Sequence, residues 1–104
     1  MFDFLKKIFS PAERADLTDL INKKAYLVDV RTSGEYAQGH PKGSVNIPLD
    51  KLASNLDKFK GKKAVIVFCR SGNRSSQAKL FLESKGFLNI TDGCTWDNVA
   101  QYTG

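Results

Sequence analysis

The chain has 104 residues, enough for one compact domain with its own core and too few for two. Its 41% hydrophobic and 26% charged residues are ordinary for a globular protein and leave no segment that composition marks as disordered. The formal net charge of +5 favours anionic substrates or acidic partners, but the basic residues are dispersed and lack stacking aromatics or finger spacing, so no nucleic acid is expected.

Two cysteines, Cys69 and Cys94, do not make the dense framework of a small secreted domain, and a reduced, cytoplasmic setting is the simpler expectation. With a single histidine, His40, and no Cys-x-x-Cys, the ligand set for a structural zinc is missing, and neither metal nor cofactor is expected.

In chain order, Phe2, Leu5, Ile8 and Phe9 alternate with Asp3, Lys6 and Lys7 as in a short amphipathic helix. This segment is shorter than a secretory signal or a span of roughly 20 apolar residues. Residues 1–15 are therefore read as an N-terminal helix and lead-in, packed on the domain or docked on a partner or membrane surface, and residues 16–104 as the domain. A helical pattern runs on through Leu17, Leu20 and Ile21. Tyr26 to Val30 is the first strand. Thr32 or Ser33 can cap a short helix carrying Glu35, Tyr36 and Ala37, which Gly39 ends.

Ser44 to Ile47 reads as a brief extended segment stopped at Pro48, and Leu49, Leu52, Leu56 and Phe59 then recur at helical spacing. The polar turn around Gly61 leads into Ala64 to Phe68, an apolar run without alternation, as expected of a strand covered on both faces. A helix from Arg74 or Ser75 runs through Ala78, Phe81 and Leu82 to Gly86. Asn89 to Thr91 forms a last short strand, and a small helix near Trp96 closes the chain. Strands alternating with helices predict an α/β fold with a central parallel sheet of about five short strands and helices on both faces. Ligand sites in such sheets lie beyond the carboxyl ends of the strands.

The buried strand delivers the chain into Cys69, Arg70, Ser71, Gly72, Asn73, Arg74 and Ser75, just before a helix. A loop curling into a helix start aims several backbone N–H groups at one point, where the helix dipole adds positive charge. Those groups, with Arg70 and Arg74, are expected to stabilise a Cys69 thiolate as a nucleophile. Gly72 permits conformations closed to other residues, and Asn73 tolerates left-handed geometry better than most.

With this loop, Cys-x-x-Gly-x-Arg-Ser at Cys69, Gly72, Arg74 and Ser75, the chain resembles the rhodanese family of single-domain sulfurtransferases. Asp29, Val30 and Arg31, then Glu35, Tyr36, Gly39 and His40, then Gly43, Asn46, Ile47 and Pro48 extend the resemblance, which spans residues 26 to 97. Two places depart from the family pattern. Pro41 follows His40 directly, which suggests a local backbone shift, and Gly93 is followed by Cys94, Thr95 and Trp96 where the family often has paired glycines before the tryptophan.

The resemblance implies that Cys69 takes the outer sulfur of a small anionic donor such as thiosulfate as a persulfide, and passes it to cyanide, a small thiol or a thioredoxin-like protein. The N–H groups from Arg70 to Ser75 would hold the persulfide, and Arg70 and Arg74 would attract the donor. His40, Asp29 and Arg31 are expected to be structural, and Trp96 to be core or pocket wall. Cys94 follows a strand of the same sheet and is either a second thiol beside Cys69 or a small residue filling a glycine-like corner.

Two other readings stand beside this one. A phosphatase or arsenate reductase would place five residues between cysteine and arginine, whereas Cys69 and Arg74 enclose four. A non-catalytic sulfur carrier or redox-sensing module would load a stable persulfide and turn over slowly.

Overall fold

The computed structural model describes residues 16–103. The expected N-terminal amphipathic helix therefore lies outside the described residues. Within them the elements are α1 (Thr18–Asn22), β1 (Tyr26–Asp29), α2 (Ser33–Gln38), β2 (Val45–Asn46), two 3-10 turns (Leu49–Lys51 and Leu56–Phe59), β3 (Val65–Cys69), α3 (Asn73–Ser84), β4 (Ile90–Thr95) and α4 (Trp96–Thr103).

The strands form one parallel sheet in the order β2-β1-β3-β4. The expected α/β architecture is therefore present, with four strands among the described residues in place of about five. Each of the four extended runs in the sequence supplies one strand, and the intervening segments are helices or turns.

β3 is central because its five residues are all buried. Its side chains divide between two cores. Val65, Val67 and Cys69 join Val28, Val30, Ile47, Ala78 and Leu82 on the α3 face, while Ile66 and Phe68 join Leu17, Leu27 and Val99 on the face covered by α1 and α4. A strand covered on both faces needs no polar alternation, which explains the unbroken apolar run. The alternation within β3 also decides where the chemistry lies, for it turns Cys69 toward the helix that follows it.

Two expected elements differ. Leu49 to Phe59 forms two short 3-10 turns instead of one helix. The Asn55 side chain donates to the Lys51 carbonyl (2.8 Å), and Ser54 Oγ donates to the same oxygen (3.1 Å), so side chains take the carbonyl that a continuing helix would use. The last strand runs to Thr95, well beyond Thr91, because a bulge at Gly93 lets β4 stay paired with β3: Val67 pairs with Asp92, and Phe68 with Cys94.

Gly93 is buried under both neighbours. A Cβ there would lie 2.7 Å from Val99 Cγ2 and 2.8 Å from Ile66 Cγ2. Both residues are fully buried and have no room to yield. Gly93→Ala is therefore expected to lower stability by about 1–3 kcal/mol through overpacking, seen in urea denaturation as a lower midpoint with an unchanged slope.

Candidate active site

α3 begins at Gly72, whose φ of 97° lies in the left-handed region and which has no side chain to cap the helix. The first N–H groups of a helix have no partner within it and must find one elsewhere. Here the partner is sulfur. The Gly72 N–H donates to Cys69 Sγ at 3.0 Å and the Ser75 N–H donates to it at 3.3 Å. Cys69 is fully buried at the carboxyl end of β3, so the sulfur sits at the positive end of the α3 dipole with little water around it. Two fixed backbone donors therefore point at this sulfur.

Ser75 closes the loop. Its hydroxyl lies 3.1 Å from the Gly72 carbonyl and 3.3 Å from the Cys94 carbonyl, tying the start of α3 to β4. Asn73 is the first helical residue, and its side-chain oxygen accepts from Gln77 Nε2 at 3.4 Å, within α3. The left-handed turn thus falls on Gly72 alone. Ser71 is exposed at the rim.

The two loop arginines part company. Arg74 makes a two-pronged ion pair with Glu35, Nη1 to Oε1 at 2.8 Å and Nη2 to Oε2 at 3.1 Å, joining α3 to α2. Arg70 is exposed and lines a cleft of about 290 Å³ with Arg31, Glu35, Gln38, Gly39 and Trp96. A larger cavity of about 930 Å³ lies at the opposite end of the sheet, beside Lys24, Tyr26, Lys62 and Ala64, away from the cysteine loop.

The cleft has a rigid wall. Arg31 Nε lies 2.9 and 3.0 Å from the two Asp29 oxygens, its Nη2 donates to Asp29 Oδ2 and to the Gly39 carbonyl at 2.6 Å each, and its guanidinium stacks on Trp96, 4.7 Å from the ring centre. Asp29 is fully buried and Arg31 nearly so, and this multiple pairing is what makes such burial tolerable. Asn46 secures the same strand end by donating to the carbonyls of Asp29 and Arg31 at 2.9 Å each.

His40 serves its own loop. Its ring stacks on Tyr36, centroids 3.7 Å apart, and its Nδ1 is 2.8 Å from the Tyr36 carbonyl. The neighbouring departure at Pro41 is a tight turn, in which the Pro41 carbonyl accepts from the Ser44 N–H (3.1 Å) and hydroxyl (2.6 Å).

Cys94 adopts a φ of 72°, a left-handed conformation that suits glycine. Its Sγ lies only 2.9 Å from where a Cβ on Gly72 would stand. The second thiol therefore touches the cysteine loop itself.

Glu35 is the residue that the sequence reading left without a part in the site. Thr32-x-x-Glu35 is a capping-box pattern, and Glu35 Oε1 does accept from the Thr32 N–H and hydroxyl at 3.0 Å each. That pattern marks the helix start, but nothing local links Glu35 to an arginine 39 positions later.

The rhodanese-like domain profile matches residues 13–94. The chain belongs to the rhodanese-like family. It is 33% identical over 82 residues to a protein named sulfurtransferase from Allochromatium vinosum, covering 76% of this chain and 72% of that one. It is 34% identical over 75 residues to the thiosulfate sulfurtransferase PspE of Escherichia coli, covering 70% of this chain and 72% of that one. A rhodanese-related protein from Thermoplasma volcanium superposes with a TM-score of 0.68 and 34% identity over 86% of this chain and 85% of its own.

The hydrogen bond from Arg74, aided by those from Thr32, holds the Glu35 carboxyl down at about 2, against an ordinary 4.5. A carboxyl depressed by folding stabilises the fold fully above its unfolded value, and that stabilisation is lost as pH falls from about 4.5 to about 2. Both side chains are roughly 30% exposed, so solvent screening limits the effect to about 1 kcal/mol. Glu35→Gln is expected to lose that amount near neutral pH, with the difference from the parent chain vanishing by pH 2 in acid-titrated unfolding curves.

Proposed function

We propose that this chain is a sulfurtransferase in which Cys69 carries a sulfur atom as a persulfide. The observation that carries the reading is the pair of backbone N–H groups on the buried Cys69 sulfur at the start of α3. Fixed donors aimed at a sulfur stabilise its anionic form without any rearrangement during reaction.

The donor best suited to such a site is a small dianion with a terminal sulfur, of which thiosulfate is the simplest, and the Escherichia coli relative is named for it. The Cys69 thiolate attacks the outer sulfur of thiosulfate. A new S–S bond forms to Cys69, the old one breaks, and sulfite leaves with the electron pair. Cyanide or a thiolate then attacks the outer sulfur and returns Cys69 as the thiolate. A leaving group that is already a stable anion needs no general acid, which agrees with a site whose family histidine position, His40, is engaged in its own loop.

Arg70 at the cleft mouth supplies the attraction for the donor. Arg74 acts differently. Its guanidinium faces Glu35, so the arginine that a phosphatase would need for gripping a tetrahedral oxyanion is committed to an internal ion pair. This argues for sulfur transfer over the phosphatase or arsenate reductase reading. The cellular setting that suits a Cys69 kept as a thiol between turnovers is the cytoplasm, with a small thiol or a thioredoxin-like protein as acceptor.

Thiosulfate:cyanide sulfurtransferase activity tests the reading directly. Wild type is expected to turn over and to take up one sulfur atom from thiosulfate alone, seen as added mass at the shortest incubation or as released hydrosulfide afterwards, and Cys69→Ser to do neither. Absence of turnover, of added mass and of released hydrosulfide with both thiosulfate and a low-molecular-weight persulfide would overturn the proposal. Arg70→Ala is expected to raise KM for thiosulfate about fivefold, the effect of roughly 1 kcal/mol from a rim charge, with kcat little changed and a weaker dependence on salt.

A further inference from the structure

Resting on the proposed Cys69 persulfide, we infer that Cys94 is a resolving thiol, which displaces the carried sulfur as hydrosulfide and closes a Cys69–Cys94 disulfide. Register places the two residues on neighbouring strands. Phe68 pairs with Cys94 and Cys69 with Thr95, so Cys69 and Cys94 are diagonal neighbours. Strands about 4.8 Å apart with a rise of about 3.3 Å per residue put such diagonal Cα atoms roughly 6 Å apart. That is inside the span of roughly 4.4–6.8 Å that a disulfide bridges.

The side chains also converge. Gly72 touches both of them: its N–H donates to Cys69 Sγ at 3.0 Å, and the position of its missing Cβ is 2.9 Å from Cys94 Sγ. With standard backbone dimensions the two sulfurs are therefore no more than about 8 Å apart before any movement. Register alone would send Cys94 to the face of its partner Phe68, and the left-handed φ of 72° brings its sulfur to the Gly72 loop instead. The Cys94 N–H donates to Asp92 Oδ1 at 2.8 Å, and its carbonyl lies 3.3 Å from Ser75 Oγ, so this unusual conformation is held from both sides. Cys94 is only partly buried, whereas Cys69 is fully buried, so the second thiol is the one that an outside reductant reaches first.

The step balances without an external oxidant. Cys94 gives up its proton, and its thiolate attacks Cys69 Sγ along the axis of the persulfide bond. The Cys69–Cys94 bond forms, the bond to the outer sulfur breaks, and that sulfur departs with the electron pair and takes a proton as hydrosulfide. The two cysteine sulfurs are oxidised and the carried sulfur is reduced. A dithiol reductant then reopens the disulfide and is itself oxidised to a disulfide, which restores both thiols.

The test compares the full chain with Cys94→Gly, a residue suited to φ 72° that keeps the fold while removing the thiol. Each protein, checked by thermal melting, is incubated with thiosulfate or with glutathione persulfide, freed of donor, and followed without added thiol by intact mass and hydrosulfide assay. Wild type is expected to release one equivalent of hydrosulfide and to end two hydrogen atoms lighter than the reduced chain. A peptide linking Cys69 to Cys94 should appear in a non-reducing digest, and Cys94→Gly should keep the extra sulfur and release less than a tenth as much hydrosulfide. Equally stable persulfides on both proteins, with no linked peptide, would overturn the inference and leave the sulfurtransferase reading standing. Failure of both proteins to take up sulfur from either donor would instead bring down the parent reading, and this one with it.

Discussion

The site depends on a helix that starts without a side-chain cap. α2 and α3 make the contrast within one molecule. Thr32 and Glu35 form a reciprocal capping box on α2, and its first donors are satisfied locally. α3 starts at a glycine that offers nothing, and its N–H groups converge on Cys69 Sγ. A serine or aspartate at position 72 would compete with the sulfur for those donors, and any Cβ there would meet Cys94 Sγ at 2.9 Å. Gly72 is thus needed for its φ, for its missing cap and for its missing volume, the first two serving Cys69 Sγ and the third making room for Cys94 Sγ.

Around this point the charges are arranged in pairs whose partners come from different parts of the fold. Asp29 and Arg31 sit at the end of β1, and their pairing reaches Gly39 and Trp96, so one buried ion pair fixes both the end of α2 and the start of α4. Glu35 and Arg74 join α2 to α3. The field of Cys69 adds to that of Glu35 in keeping Arg74 protonated. Arg74 therefore commits its donors to the ion pair that ties α3 to α2, and the exposed cation lining the cleft is Arg70.

Local chemistry made much of this legible. The apolar run before Cys69 marked a covered strand, Gly72 and the residues after it marked a helix start, and together they located the loop. What escaped was decided by contacts across the fold. Leu49 to Phe59 carries helical spacing, yet Ser54 and Asn55 divert the Lys51 carbonyl and leave two short turns. Asp92 and Gly93 look like a turn after Thr91, but the bulge lets pairing run on to Thr95. The count of about five strands assumed a fuller sheet than four extended runs can make. Glu35 was visible as a residue of the short helix that Thr32 caps and invisible as the partner of Arg74, since an ion pair across 39 positions leaves no periodic or spacing signal.

Size alone would point to the end of the sheet away from the cysteine loop. The larger cavity lies at the amino ends of β1 and β3, beside Lys24, Lys62 and Tyr26. In a parallel sheet with right-handed crossovers, helix N-termini gather at the carboxyl ends of the strands, and there the unpaired N–H groups and positive dipole ends are found. A sulfur anion buried at the other end would lack fixed donors and would have to rely on mobile lysines, whose ammonium groups remain hydrated. The small cleft beside Trp96 is lined by Arg70, the residue that follows a buried sulfur with two backbone donors. For a reaction that moves a single sulfur atom, donors set in advance matter more than volume.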